Sequence, residues 1–105
     1  MLPRRTINPE GHWKLGIDVA NNSQGIRCNK HIFIAGQVDL DGKARVLNPG
    51  DLLAQAKSSM AYVGRVLEGA GADMADLVKL TVFYVPSSGV DEGRLANAIG
   101  QAMGE

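Results

Sequence analysis

An α+β fold, one sheet carrying helices, is what the sequence predicts, and three observations predict it. Two β-prone runs, residues 24–28 and 31–35, are separated by Asn29-Lys30. A long amphipathic pattern with helical spacing covers residues 50–69. A strand-like run, 77–85, and a second helical pattern near 91–103 follow it. Strands that precede and separate two helices favour a sheet layer with a helix layer on it, over a bundle or a sandwich.

The opening stretch is irregular, with Pro3, Pro9, Gly11, Gly16 and the Asn21-Asn22-Ser23 cluster, and holds at most a short strand around Arg5 to Asn8. Gln24 to Cys28 and His31 to Ala35 read as a hairpin, because Asn tolerates positive φ at a two-residue joint. Asp41-Gly42 is the corner of the next turn. For the long helix, Asn48 is the expected N-cap, Pro49 suits the first helical position and Asp51 favours the positive end of the dipole. Leu53, Ala56, Met60, Val63, Leu67 and Ala70 recur three and four apart and define its buried face, while Lys57, Arg65 and Glu68 fall towards solvent. Gly69 and Gly71 end it. Residues 72–76 make a tight connection, and Leu77 to Val85 is expected to be the strongest strand, stopped by Pro86. The second helix, about Asp91 to Met103, places Leu95, Ile99, Ala102 and Met103 on one stripe and is weakened by Gly93 and Gly100.

Alternation separates the strand faces. Ile32, Ile34 and Val38, with Val78, Leu80, Val82 and Tyr84, are apolar and expected beneath the helices. The opposite set includes His31, Phe33, Ala35 and Gln37, and Leu77, Lys79, Thr81, Phe83 and Val85. That face is too apolar for water and too polar for a monomer core, so it is expected against another subunit.

Composition narrows the function classes. Hydrophobic content of 45% and charged content of 21% are those of an ordinary globular domain, and 105 residues are expected to form one. Lys plus Arg equals Asp plus Glu, at 11 each, so no net field favours nucleic acid or membrane partners. No apolar run approaches the roughly 20 residues that span a bilayer. Met1-Leu2-Pro3-Arg4-Arg5 lacks the apolar region of a signal peptide. Cys28 is a lone cysteine and suits a reducing compartment, so the expected setting is the cytoplasm.

In order, the chain contains Ala35-Gly36-Gln37, Asp39-Leu40-Asp41-Gly42, Gly50-Asp51-Leu52-Leu53-Ala54-Gln55, Leu67-Glu68-Gly69-Ala70-Gly71-Ala72 and Leu77-Val78-Lys79-Leu80-Thr81-Val82-Phe83. Five such pieces with matching spacing resemble the RidA/YjgF family, also known as the endoribonuclease L-PSP family. The resemblance covers most of the chain. It implies a chorismate-mutase-like mixed β-sheet with two helices on one face and a homotrimer with ligand pockets at subunit boundaries. The implied activity is hydrolysis of reactive imines and enamines, such as 2-aminoacrylate, to keto acids and ammonia. Alternatives are a non-catalytic member that binds a small metabolite or a protein and, with less support from the neutral charge, an endoribonuclease.

Through the resemblance, the substrate-binding candidates are Asn22, where the family often has a Tyr, Ala35 in place of a Ser, Gly36, and Asn97 in the second helix. Arg94 is the arginine nearest the expected pocket, and a planar guanidinium suits a substrate carboxylate. Deaminase members continue into two further strands bearing a carboxylate-clamping Arg and a water-positioning Glu. This sequence stops at Gly104-Glu105, so the C-terminal strands are expected to be missing and no catalytic residue is assigned. Neither metal nor cofactor is expected. Glu10, His12 and Asp18 make no recognisable metal spacing, and an imine that takes up water needs only orientation and a polarised water.

Overall fold

The computed structural model describes residues 4–14, 23–87 and 89–104. Its sheet has three antiparallel strands in the order β1-β2-β3: β1 Arg4–Ile7, β2 Gly25–Cys28 and β3 His31–Ile34. Arg5 lies opposite Arg27 between β1 and β2, and Ile26 opposite Phe33 between β2 and β3. Asn29 takes a φ of 57° at the β2–β3 joint, as expected of an Asn in a two-residue hairpin turn. Two helices complete the layer: α1 Leu52–Gly69 and α2 Glu92–Ala102, with a 3₁₀ turn, Met74–Asp76, between them. The molecule measures 48 × 34 × 19 Å, and the short dimension matches one sheet plus one helix layer.

The α+β class predicted from sequence is borne out. Helix α1 buries Met60, Val63 and Leu67 as predicted, with Ala70 as its C-cap residue. Val66, absent from the predicted face, is the most deeply buried of all, with 0% of its surface exposed. It packs with Ile7 and Ala70, flanked by Ile32 and Ile34 of β3. Two glycines bring helix and sheet this close. A Cβ on Gly25 would stand 2.6 Å from Val66 Cγ1, and one on Gly69 would stand 2.9 Å from Ile7 Cγ2. Helix α2 packs against α1 through Leu95 and Ala98, so Ala98 holds the inward place predicted for Ala102, which is exposed.

Three expectations are corrected. The N-cap of α1 is Asp51, whose side chain accepts from Ala54 N at 3.1 Å. Asn48 is drawn away because its main-chain N–H and side-chain amide both donate to the buried Asp39 carboxylate, at 2.7 and 2.8 Å. Gly50, with a φ of 76°, then turns the chain into the helix. Second, residues 77–86 form no strand. They run between the 3₁₀ turn and a Ser87–Val90 bridge without a ladder partner among the described residues. β-propensity favours an extended backbone, but a strand also needs a neighbour to accept its hydrogen bonds. Third, Val38, Val78 and Val82 are not beneath the helices: Val38 lies beyond the end of β3, Val38 and Val82 are exposed at 45 and 42%, and Val78 is 99% exposed. Around them the predicted alternation holds in part, with Ile32, Ile34, Leu80 and Tyr84 half-buried and His31, Phe33, Phe83 and Val85 exposed.

Candidate ligand site

A long trough separates β3 from the extended run 77–86, with helix α1 as its floor. Ile34, Ala35 and Gly36 form part of one wall, Leu80 and Val82 part of the other, and Ser59 and Met60 belong to the floor. The trough exists because, among the described residues, β3 pairs with β2 alone and residues 77–86 are unpaired. Both of its rims therefore carry strand-like backbone whose hydrogen-bonding groups lack ladder partners among the described residues, and the side chains between them are mostly apolar.

The wall at Ala35 and Gly36 is held from behind by a chain of amide hydrogen bonds. Gln37 Nε2 donates to Ala35 O at 3.1 Å and to Gln24 Oε1 at 2.9 Å. Gln24 Nε2 donates to Trp13 O at 3.1 Å, and Ala35 N donates to Gln24 O at 3.0 Å. Gln37 Oε1 pairs with His12 Nε2 at 2.7 Å. An amide oxygen only accepts, so His12 carries its proton on Nε2. Its Nδ1 is buried without a partner among the described residues, as is Trp13 Nε1. The His12 ring packs at a tilt against Trp13 and Tyr62, with ring centroids 5.5 and 4.6 Å away. Burial is the main reason that its pKa lies below the ordinary 6.5. The Gln37 hydrogen bond opposes the shift and the nearby Arg65 charge adds to it.

Of the residues singled out from sequence, Ala35 and Gly36 line the trough. Gly36 has open space on its Cβ side, with no atom within 4 Å. Arg94 and Asn97 are both exposed on α2 and do not belong to the trough wall, and Arg94 Nη1 is engaged by Gly89 O at 2.6 Å. Asn22 lies outside the described residues. Among those residues the arginine that reaches the trough is Arg27, at the end near Gly71. Sequence reasoning missed Arg27, Gln24 and the buried role of Gln37 and His12. The one signal available was a glutamine at each end of the hairpin, at 24 and 37. Cys28 is half-buried and free in β2, and His31 stacks on Phe33 on the exposed face, as expected.

A three-stranded antiparallel sheet under two helices, with a trough beside its last strand, defines a small α+β fold. Residues 17–98 match the model of the family Endoribonuclease L-PSP, and the chain belongs to that family. It is similar to the mouse 2-iminobutanoate/2-iminopropanoate deaminase, at 38% identity over 60 residues, which is 57% of this chain and 44% of that one. A RutC family protein of Pyrococcus abyssi is 38% identical over 61 residues, covering 58% of this chain and 48% of its own. The matched stretch thus spans less than half the length of these curated relatives. In fold, the chain resembles a Thermotoga maritima endoribonuclease structure with a TM-score of 0.79 at 20% identity, covering 96% of this chain and 76% of that one. An Entamoeba histolytica endoribonuclease L-PSP gives 0.70 at 22%, covering 97% and 78%. The described residues contain no helix long and apolar enough to cross a membrane and no cluster of three or more metal-ligating side chains.

Proposed function

We propose that the chain forms part of an imine/enamine deaminase and that its trough takes a small 2-imino or 2-enamino acid, which is hydrolysed in a homotrimer. The observation that carries this reading is the trough wall at Ala35-Gly36, tied down by Gln37 and Gln24, in a chain similar to 2-iminobutanoate/2-iminopropanoate deaminase. The enamine first tautomerises to the imine. Water then adds to the C=N carbon, a proton moves to nitrogen, and the carbinolamine loses ammonia to leave the keto acid. The protein's share is to orient substrate and water, and Gly36 N–H, without a main-chain partner among the described residues, is a donor available at the wall. Asn22, Arg94 and Asn97 are retained as further substrate contacts only in this proposal. The clamp Arg and the water-positioning Glu of deaminase members match no position here, so the expected acceleration by these 105 residues is small.

The test generates 2-aminoacrylate with a dehydratase and follows keto-acid release, alongside NMR titration of the chain with 2-oxobutanoate. Gly36→Val should remove both the acceleration and the binding without lowering the melting temperature, because nothing crowds that position. Unchanged release and unchanged 2-oxobutanoate binding in the variant would overturn the placement of the substrate in the trough.

A further inference from the structure

A second concave site lies at the C-terminal end of α1, where Arg4, Arg5 and Arg27 surround a shallow pocket of ≈ 560 Å³ closed by Gly69, Ala70 and Gly71. The chain as a whole is neutral, so three guanidinium groups at one pocket are a local concentration of charge. Arg5 and Arg27 lie directly opposite each other across the β1–β2 ladder. Like charges in that register oppose strand pairing. The fold offsets this by giving both guanidiniums to the negative end of α1. Arg5 Nη2 donates to Gly69 O at 2.8 Å, and Arg27 Nη1 donates to Ala70 O. No basic residue in the last turn of α1 competes for these carbonyls.

Those bonds occupy only part of each five-donor fork, and they hold the forks in place. Arg4, the third member, donates no side-chain hydrogen bond and forms no ion pair with a described residue; the ion pair found among them is Arg45–Asp41. Glu68 is the one acidic group on the pocket wall, and none of the three arginines lies within ion-pair distance of it. Three cations outweigh one carboxylate and the partial negative charge at the end of α1, and the surplus suits an anion. A lone carboxylate can engage one fork, whereas a phosphate presents oxygens to several.

We propose that the Arg4–Arg5–Arg27 pocket binds the phosphate group of a small molecule, either inorganic phosphate or a phosphomonoester. A single-stranded nucleic acid is disfavoured because such a partner needs stacking aromatic rings along a basic track, and this pocket is lined by no aromatic residue. The site is separate from the substrate reading of the trough, although Arg27 and Gly71 touch both cavities.

The test is a two-dimensional NMR titration of the chain with inorganic phosphate, pyrophosphate and a sugar phosphate, at ionic strength held constant with chloride. Saturable shifts at the amides of Asn29, Gly69 and Gly71 are expected. Arg4→Gln touches no internal hydrogen bond, so it should leave the melting temperature unchanged and weaken phosphate binding about fivefold to tenfold. Arg5→Lys, which keeps the charge and loses the fork, should weaken binding at a retained fold. A sugar phosphate that binds more tightly than inorganic phosphate would identify the monoester as the ligand class, and the reverse would identify the free ion. Shifts matched by chloride alone, or binding indifferent to Arg4→Gln, would overturn the proposal. So would steeply salt-dependent binding of an oligoribonucleotide with no response to the three small phosphates.

Discussion

His12 and Gln37, 25 residues apart, are joined by a hydrogen bond of 2.7 Å from the imidazole Nε2 to the carboxamide oxygen. Through Gln37 the bond continues to Gln24 and to the carbonyl of Ala35, so the position of the trough wall depends on a neutral histidine. Protonation at Nδ1 would place a charge, without a partner, beside Trp13 and Tyr62 and in the field of Arg65.

The folded pKa of His12 is lowered, which fixes the sign of the pH dependence. Above its ordinary value of 6.5 the ring is neutral in both states and its contribution to stability is complete. As the pH falls below that value the unfolded chain takes up a proton that the folded chain resists. Stability is lost until the folded pKa is passed. Melting temperatures measured from about pH 7.5 to about pH 5 should therefore fall for the wild type, and the slope should flatten in His12→Gln. An identical slope in both would show that another group is responsible.

Met60 faces the core from the middle of α1 with 5% of its surface exposed. Met60→Asp should cost at least about 3 kcal/mol, because a carboxylate there has no partner and little water. Lys57→Asp, on the exposed side of the same helix, should stay within about 0.5 kcal/mol. Chemical denaturation of the two variants checks the assignment of the helix face.

Gly25→Ala would introduce a methyl 2.6 Å from Val66 Cγ1, which is possible only if α1 lifts or Val66 moves. A loss of about 1–3 kcal/mol is expected. Combining it with Val66→Ala should cost less than the sum of the two single changes, because the space made by one relieves the crowding of the other. Additive losses would separate the two positions energetically.

Phe33, Phe83 and Val85 are exposed at 64, 93 and 82% in the single chain. The proposed homotrimer covers such faces, and light scattering after size exclusion should give three times the chain mass of 11.1 kDa. A monomer at micromolar concentration would overturn the trimer, and Phe83→Lys should dissociate it while leaving the helices intact.

Local pattern made much of this fold legible. The spacing of Met60, Val63 and Leu67 sufficed for the face of α1, and Asn29 sufficed for the hairpin, because each rests on contacts close in sequence. Val66 escaped because the apolar stripe is wider than the row of residues three and four apart. Asn48 looked like a helix cap until Asp39 claimed its amide, and that competition is visible only once the turn at 39–48 has folded. The candidate site was legible only at Ala35 and Gly36. Its support joins residues 12, 13, 24 and 37, whose polar side chains carry no periodicity and meet only through the closure of the hairpin onto the N-terminal segment.

The unpaired run from Val78 to Val85 has a counterpart in the time domain. Its amides have no main-chain acceptor among the described residues, whereas those along α1 are locked within the helix. In heavy water the isolated chain would exchange the first set at nearly the rate of an unstructured peptide and hold the amides around Val66 until global unfolding. Any strand or subunit that docks along the trough would convert the fastest-exchanging segment into a slow one, so deuterium uptake at Val78–Val85 reports occupancy of that rim directly.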